Sequence, residues 1–145
     1  MNQVNMRNAI SQYAQVGAQT AIEAADAHRL VQMLMEGALD KLAIARGHMT
    51  RGNVAEKGAH ISWAISIIGG LQASLNPEAG GDLADNLDGL YEYMARRLLE
   101  SSMNSDVEIL DEVIALLGSV KEAWDSIPED SRQPPVAAAV GQASL

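Results

Sequence analysis

The distribution of helix-breaking residues is the feature that most constrains the fold of this chain. Prolines occur only at Pro77, Pro128, Pro134 and Pro135, which leaves long uninterrupted stretches before and between them. Within those stretches apolar residues recur every three or four positions, and no segment keeps a two-residue alternation. This periodicity is typical of amphipathic helices rather than strands. The sequence therefore predicts an all-α protein.

The apolar seams predict four long helices. They lie at about residues 28–49, 54–75, 82–102 and 105–124, each with core-facing residues at spacings of three and four. The core-facing residues expected of the third helix are Leu83, Leu87, Leu90, Tyr91, Met94 and Leu98. Four helices of similar length with short connections pack as an antiparallel four-helix bundle. That architecture is our expected fold.

Turn and capping residues agree with these boundaries. Asn76-Pro77 and Gly80-Gly81 are typical turn sequences. Capping boxes are predicted for Asn53 with Glu56, and for the segment Ser105-Asp106-Val107-Glu108. Thr20 and Glu23 match the same pattern, so the first long helix has a possible earlier start as well.

The chain outside the bundle falls into two further parts. We expect residues 1–27 to form a strap, residues 28–127 the bundle, and residues 128–145 a disordered tail without a packing pattern. The strap carries a short amphipathic pattern that we expect to pack across the bundle. Burying its apolar residues offsets the entropy of ordering the segment only approximately, so it suits a displaceable lid. The expected lid residues are Ile10, Tyr13 and Val16.

Composition excludes several classes of protein. The chain has no cysteine, so disulfides and thiolate metal sites are impossible and a reducing, cytoplasmic compartment is favoured. Its N-terminus lacks the continuous apolar stretch of a signal peptide. The net charge is −9, whereas a nucleic-acid-binding domain normally carries a basic patch. We therefore expect no nucleic-acid partner.

We find no pattern for catalysis, a cofactor or a metal. A di-iron bundle needs Glu-x-x-His pairs on two helices. The nearest match is Glu56 with His60, on one helix, while His28 and His48 have no such partner. We therefore expect all three histidines to be solvated or to cap a helix. The Gly80-Gly81 pair is not part of a phosphate-binding motif. The sequence therefore predicts a protein that is not an enzyme and has no metal and no cofactor.

The run from Gly58 to Pro77 contains no charged residue, although it covers most of the second helix. It is interrupted by too many serines, glycines and amides to predict insertion into a membrane. A second stripe lies beside its core seam and combines large apolar with small residues: Trp63, Ile67, Gly70 and Ser74. This stripe is either a groove for a partner helix or core shared between two neighbouring helices. The pattern does not separate these alternatives.

Several short motifs recur at characteristic spacings along the chain: MLMEGAL at 33–39, Ser74-Leu75-Asn76, LYEYM at 90–94, RRL at 96–98 and Ala123-Trp124. Together they resemble the flagellin chaperone family FliS, over about residues 13–125. Two departures are visible, since the family often has proline at the position of Ala27 and tyrosine at that of Met35.

This resemblance implies a cytosolic, all-helical export chaperone of the flagellar type III system. It implies binding of the C-terminal segment of flagellin, which becomes helical on the chaperone and is thereby kept from polymerising. It also implies recognition of that complex by the cytoplasmic domain of the export-gate protein FlhA. An N-terminal segment that covers the same hydrophobic surface matches Ile10 to Val16 here.

Helical geometry and the resemblance together give a predicted partner-binding groove. Its residues are Trp63, Ile67, Gly70, Leu71, Ser74, Leu87, Tyr91, Tyr93 and Met94. The alternative from another class is a structural bundle whose apolar face forms an obligate homodimer.

Overall fold

The computed structural model describes the backbone of residues 2–132 and the side chains of residues 23–132. It contains four helices: α1 (Asn2–Thr50), α2 (Val54–Ala73), α3 (Pro77–Asn104) and α4 (Val107–Asp125). A short 3₁₀ turn, Glu129–Ser131, follows them. No strand occurs within residues 2–132, so the predicted all-α class is confirmed.

The helices form an antiparallel bundle in which each packs against two neighbours. Connections of two or three residues, at 51–53, 74–76 and 105–106, reverse the chain between successive helices. The helix α1 contacts α2 and α4, while α3 contacts the same two helices from the opposite side. The four-helix bundle predicted from the sequence is therefore confirmed.

One hydrophobic core runs through the bundle, and the predicted seams supply most of it. Each fully buried valine, leucine, isoleucine or methionine side chain contributes about 1.5–3 kcal/mol to stability by leaving water. The buried cluster comprises Met35, Ala38, Leu42, Ala45, Ile61, Ala64, Ile68, Leu71, Tyr91, Met94, Leu98, Leu110, Val113 and Leu117.

The first helix begins earlier than the sequence predicts, at Asn2 and not near His28. No proline and only one glycine, Gly17, occurs before His28, so no helix breaker stops it. The side chains of the expected lid residues Ile10, Tyr13 and Val16 lie outside the described residues, as does the tail from residue 133.

Two helix starts differ in detail from the predicted capping boxes. Asn53 occupies the N-cap of α2, but its side chain makes no capping hydrogen bond. At α4 the N-cap is Asp106, one residue later than a box starting at Ser105 requires. Its carboxylate accepts hydrogen bonds from the backbone N–H groups of Glu108 and Ile109. Ser105 instead ends α3 in the left-handed conformation, with φ of 49°.

The predicted turn at Gly80-Gly81 is a break inside α3. Gly81 has φ 54° and ψ −128°, a conformation that favours glycine because a side chain there is strained. A Cβ atom on Gly80 would lie 2.8 Å from that of Ala84. After this break Ala84 faces inward and Leu83 is 62% exposed, so the prediction that Leu83 packs in the core is wrong.

The two ends of the bundle are built differently. The closed end contains the α1–α2 and α3–α4 connections. There the buried Lys57 ammonium donates to the carbonyl oxygen of Ser102 at 2.7 Å and to Ser105 Oγ at 2.9 Å. The buried Ser101 hydroxyl donates to the carbonyl oxygen of Asp106 at 2.9 Å. The open end contains the α2–α3 connection, the C-terminus of α4 and the residues near His28.

Candidate functional site

An apolar cavity of about 300 Å³ opens at the open end. All four helices and the 3₁₀ turn contribute to its wall. The apolar lining comprises Val31, Leu71, Leu75, Ala79, Leu83, Ala84, Leu87, Tyr91, Trp124 and Ile127, and polar groups come from His28, Ser74, Asn76, Ser131 and Arg132. A concave site with a mainly apolar wall and a few polar groups is typical of a binding pocket.

One wall of the cavity is fixed by a reciprocal pair between α1 and α4. His28 Nε2 donates to the carbonyl oxygen of Trp124 at 2.8 Å, and Trp124 Nε1 donates to the carbonyl oxygen of His28 at 3.0 Å. The two rings are stacked, with centroids 4.8 Å apart and planes 10° from parallel. His28 is thus buried, and its ring joins α1 to α4. The expectation of a solvated or capping histidine is wrong for this residue.

The opposite wall depends on how α3 starts. Asn76 accepts a hydrogen bond from Ala79 N at 3.3 Å, and Pro77 occupies the first turn of the helix. The break at Gly81 then leaves Leu83 and Leu87 at the cavity. Because Leu83 is exposed as well as apolar, it offers the most accessible leucine side chain on this wall for contact with another molecule.

Tyr91 forms part of the cavity floor and belongs to the core. It is 2% exposed, and this burial raises the pKa of its hydroxyl to about 12. The phenol is therefore neutral at physiological pH. No catalytic constellation accompanies it among the residues that line the cavity, whose basic side chains are His28, held by Trp124, and Arg132.

Four of the nine residues predicted for the groove line this cavity. They are Leu71, Ser74, Leu87 and Tyr91. Leu71 and Tyr91 are buried, so they shape the floor, while Ser74 and Leu87 lie nearer its edge. The structure therefore brings these four together at the open end.

The other five lie elsewhere. Trp63 is 54% exposed on α2, with the Lys41 ammonium 3.9 Å from its ring centroid. Ile67 is half-buried against the core, and Gly70 is exposed with open space around it. Met94 is fully buried in the chain's own core. The partner-binding role of all nine stays a prediction.

Tyr93 is held by a polar network between α3 and α4. Its hydroxyl donates to Glu112 Oε2 at 2.6 Å, and Arg97 Nε donates to Glu112 Oε1 at 3.0 Å. These two hydrogen bonds lower the pKa of the Glu112 carboxyl, because they stabilise its charged form. The geometry gives Tyr93 a structural role in joining the two helices.

From Gly58 onward, the outer face of α2 has no charged residue of its own and consists mainly of small residues. The exposed residues from there to the C-cap are Ala59, Ser62, Trp63, Ser66, Gly69, Gly70, Ala73 and Ser74. The charge-free run of α2 thus serves two purposes, because one side builds the core and the other presents a neutral surface beside the cavity. Such a surface costs little to desolvate.

Sequence reasoning did not find the pairing of His28 with Trp124 or the position of Leu83 at the cavity. His28 and Trp124 are distant in sequence, and their pairing depends on the packing of α1 against α4. Leu83 was assigned to the core because its spacing fits the seam. The glycine at position 81 was the available signal that this spacing changes phase.

Within the part of the chain that the structure describes, no helix combines the length and apolarity needed to cross a membrane.

The sequence matches a family model over residues 9–131, which include all of the cavity lining up to Ser131. That family is described as "Flagellar protein FliS". The chain belongs to the FliS family. The family resemblance noted in the sequence is therefore confirmed, over a longer span than the motifs alone covered.

Curated relatives agree with this family over most of their length. The chain is 52% identical over 119 residues to the flagellar secretion chaperone FliSB of Pseudomonas aeruginosa, covering 82% of this chain and 94% of the relative. It is 44% identical over 119 residues to the flagellar secretion chaperone FliS of Salmonella typhimurium, which covers 81% of this chain and 88% of the relative. For the FliS of Vibrio cholerae the identity is 38% over 125 residues, with 86% and 92% covered.

These relatives are named as chaperones of flagellar secretion, which is not a catalytic role. The chain is accordingly a flagellar secretion chaperone of the FliS family. The expectation that it is not an enzyme is confirmed on the same ground.

Proposed function

We propose that this chaperone binds the C-terminal segment of a flagellin at the open end of the bundle. The observation that carries the proposal is the apolar cavity in a FliS-family bundle, whose leucine-rich wall continues past an exposed leucine to solvent. An amphipathic segment that becomes helical can place its apolar side chains against such a wall. The neutral outer face of α2 extends the surface beyond the cavity.

The consequence for flagellin is that its apolar segment is covered before export. A flagellin whose C-terminal segment is held in this way cannot use that segment to polymerise in the cytosol. We further propose that the complex, and not the free chaperone, is recognised by the cytoplasmic domain of FlhA. This places the protein in the cytoplasm, as its lack of cysteine favours.

The N-terminal part, residues 1–27, is proposed to act as a displaceable lid through Ile10, Tyr13 and Val16. The support is the amphipathic pattern of these residues, whose burial approximately offsets the entropy of ordering the segment. Deleting residues 1–18 should strengthen binding of a flagellin fragment, since a competitor for the apolar surface is removed. Unchanged or weaker binding would count against the lid.

The binding site is tested by two matched leucine variants on α3. Leu83 is 62% exposed at the cavity, while Leu99 is 56% exposed near the other end of the same helix. We expect Leu83→Asp to weaken binding of a C-terminal flagellin fragment about a hundredfold, as loss of an apolar anchor does. Leu99→Asp should change the affinity by less than about threefold.

Isothermal titration calorimetry measures both affinities, and circular dichroism checks that both variants keep their helical content. Equal affinity of the Leu83→Asp variant and the parent chain would place the site elsewhere. The obligate homodimer is not favoured, because the family is one of secretion chaperones.

A further inference from the structure

Three side chains of metal-ligating type meet at the closed end of the bundle, far from the cavity. His48 lies in the last turns of α1, and Glu56 and His60 lie one turn apart at the start of α2. Their ligand atoms all lie within 4.8 Å of one another. The sequence shows only the Glu56 and His60 pair, and the α1–α2 connection supplies the third group.

We propose that His48, Glu56 and His60 bind a divalent transition-metal ion of the zinc type. Zinc takes nitrogen ligands at about 2.0–2.1 Å in tetrahedral geometry, so two donors on one ion stand about 3.4 Å apart. The spread of up to 4.8 Å exceeds this by about 1.4 Å, which rotation of the exposed Glu56 side chain and of the two half-buried imidazoles has to close. Two imidazoles and one carboxylate are also the ligand set of known zinc sites with an open fourth position.

His60 is already arranged for this role. Its Nδ1 donates to the carbonyl oxygen of Glu56 at 2.8 Å, because a carbonyl can only accept. In the neutral ring that leaves the lone pair on Nε2 free for a metal. A ligating histidine normally has its other nitrogen held in this way, since the hydrogen bond fixes both tautomer and ring orientation.

His48 has the opposite hydrogen bonding, because two N–H donors face its Nδ1 and this nitrogen therefore accepts. Its Nδ1 lies 3.2 Å from Asn53 Nδ2 and 3.3 Å from Arg51 Nη2, and its ring centroid is 5.4 Å from that of His60. Ligation through Nε2 requires a proton on Nδ1. The Asn53 amide accepts that proton once it turns its oxygen toward the ring, and the exposed Arg51 side chain swings away.

This arrangement also accounts for the missing cap of α2. Asn53 stands at the N-cap position, but its amide is engaged with His48 and makes no capping bond. The residue links the ligand His48 to the start of the helix that carries the other two ligands. A bound ion would therefore fasten α1 to α2 at their connection, with one coordination position open.

The ligand chemistry selects the class of ion. Imidazole suits zinc, copper and nickel, whereas calcium and magnesium prefer sites made of oxygen donors. Arg51 opposes the ion by its charge, so its removal should strengthen binding. The proposal does not depend on the flagellin-binding function, because the ligands lie at the opposite end of the bundle from the cavity.

Titration of the tag-free full chain with Zn²⁺ tests the site, in a buffer that neither chelates nor precipitates zinc. We expect one ion per chain. His48→Ala, Glu56→Gln and His60→Ala should each weaken zinc binding at least about tenfold. Removing a group that only supports a metal ligand already lowers affinity by about 10–100-fold, so removing a ligand should cost no less. The matched control is Glu78→Gln, an exposed acid in the first turn of α3 as Glu56 is in α2, and it should bind zinc as the parent does.

Trp63 provides an independent readout, since its ring centroid lies 6.5 Å from that of His60. Cu²⁺ should quench the emission of Trp63 at one equivalent, and Trp63→Leu should remove that quenching because Trp124 lies at the open end. Arg51→Ala should bind zinc more tightly. The proposal is overturned if zinc fails to bind up to millimolar concentration, or if the three ligand variants bind it as well as Glu78→Gln does.

Discussion

The two ends of this bundle share one core but are closed by different interactions. At the closed end the buried ammonium of Lys57 and the buried hydroxyl of Ser101 satisfy backbone oxygens in the last turn of α3 and in the α3–α4 connection. At the open end a stacked histidine and tryptophan and a set of leucines border a cavity. Hydrogen bonds join helices at both ends, so the difference lies in the buried polar groups of the closed end and the apolar cavity of the open end. The open end is therefore the one to which we assign the proposed partner.

The largest effect on stability is expected at the open end, from Trp124→Ala. This change removes the ring stacked on His28 and the hydrogen bond that Trp124 Nε1 donates to the His28 carbonyl oxygen. We expect a loss of about 2–4 kcal/mol in the free energy of unfolding, together with weaker binding of a flagellin fragment. Urea denaturation measures the first and calorimetry the second.

The matched control is Trp63→Ala, which removes an exposed tryptophan from α2. This replacement should lower the free energy of unfolding by less than about 1 kcal/mol. Equal losses from the two variants would contradict the structural role assigned to the stacked pair.

The closed end is tested by Lys57→Met, which keeps the approximate length of the side chain but removes its hydrogen-bond donors. The carbonyl oxygen of Ser102 and the hydroxyl of Ser105 then lose their partner, at a cost of about 1–3 kcal/mol. Affinity for a flagellin fragment should remain within about twofold of the parent, because Lys57 is far from the cavity.

Lys41→Met serves as the comparison, because the interaction described for Lys41 is with the face of the Trp63 ring. We expect this replacement to lower the free energy of unfolding by about 0.5–1 kcal/mol. A large loss of flagellin affinity in Lys57→Met with full stability retained would reverse our assignment of the two ends.

A smaller effect separates two glycines of α3. Gly81→Ala should destabilise by about 1–2 kcal/mol, since a residue with a Cβ is strained at φ 54° and ψ −128°. Gly89 lies in a regular part of the same helix with nothing within 4 Å of an added Cβ. Gly89→Ala should therefore stabilise by about 0.4–1 kcal/mol.

Thermal unfolding compares the two alanine variants with the parent chain. Destabilisation by Gly89→Ala would show that this position is needed for more than helix geometry. A neutral Gly81→Ala would mean that the break at the open end is dispensable.

The smallest effect is the acid dependence of stability. Hydrogen bonds and neighbouring cations lower the pKa of Asp111 and Glu112 on the closed-end half of α4, and of Asp125 at the open end. A carboxyl with a lowered folded-state pKa stabilises the fold above its unfolded pKa of about 4, and this contribution is lost as pH falls through the folded value. These pairs are largely exposed, so the decline should be shallow.

Urea denaturation between pH 7 and pH 3 measures this decline. Asp111→Asn should flatten part of the profile, because the Arg46 side chain then has no charged partner at 2.6 Å. Stability that increases toward acid would contradict the signs of these pKa changes.

The bundle was predictable because its seams are regular, while the site was predictable only in part. Ile61, Ala64 and Ile68 repeat at helical spacing, and the structure buries all three. Leu83 fits the same kind of pattern, yet the break at Gly81 turns it outward. Periodicity assumes an unbroken helix, so it fails where one residue changes the phase.

Contacts between helices far apart in sequence could not be read in the same way. His28 pairs with Trp124 across 96 positions, and His48 joins Glu56 and His60 only because the α1–α2 connection folds back. Each depends on the register of two helices, which the spacing within one helix does not determine. The contacts between helices at the two ends were therefore not predicted, although the helices that carry these residues were.

The most direct test of the central claim is amide hydrogen exchange of the full chain, with and without a saturating C-terminal flagellin fragment. We predict slowed exchange at the open end, in residues 71–91 and 124–132, and no change in residues 101–109 of the closed end. Protection confined to the closed end while the fragment is bound would contradict the account.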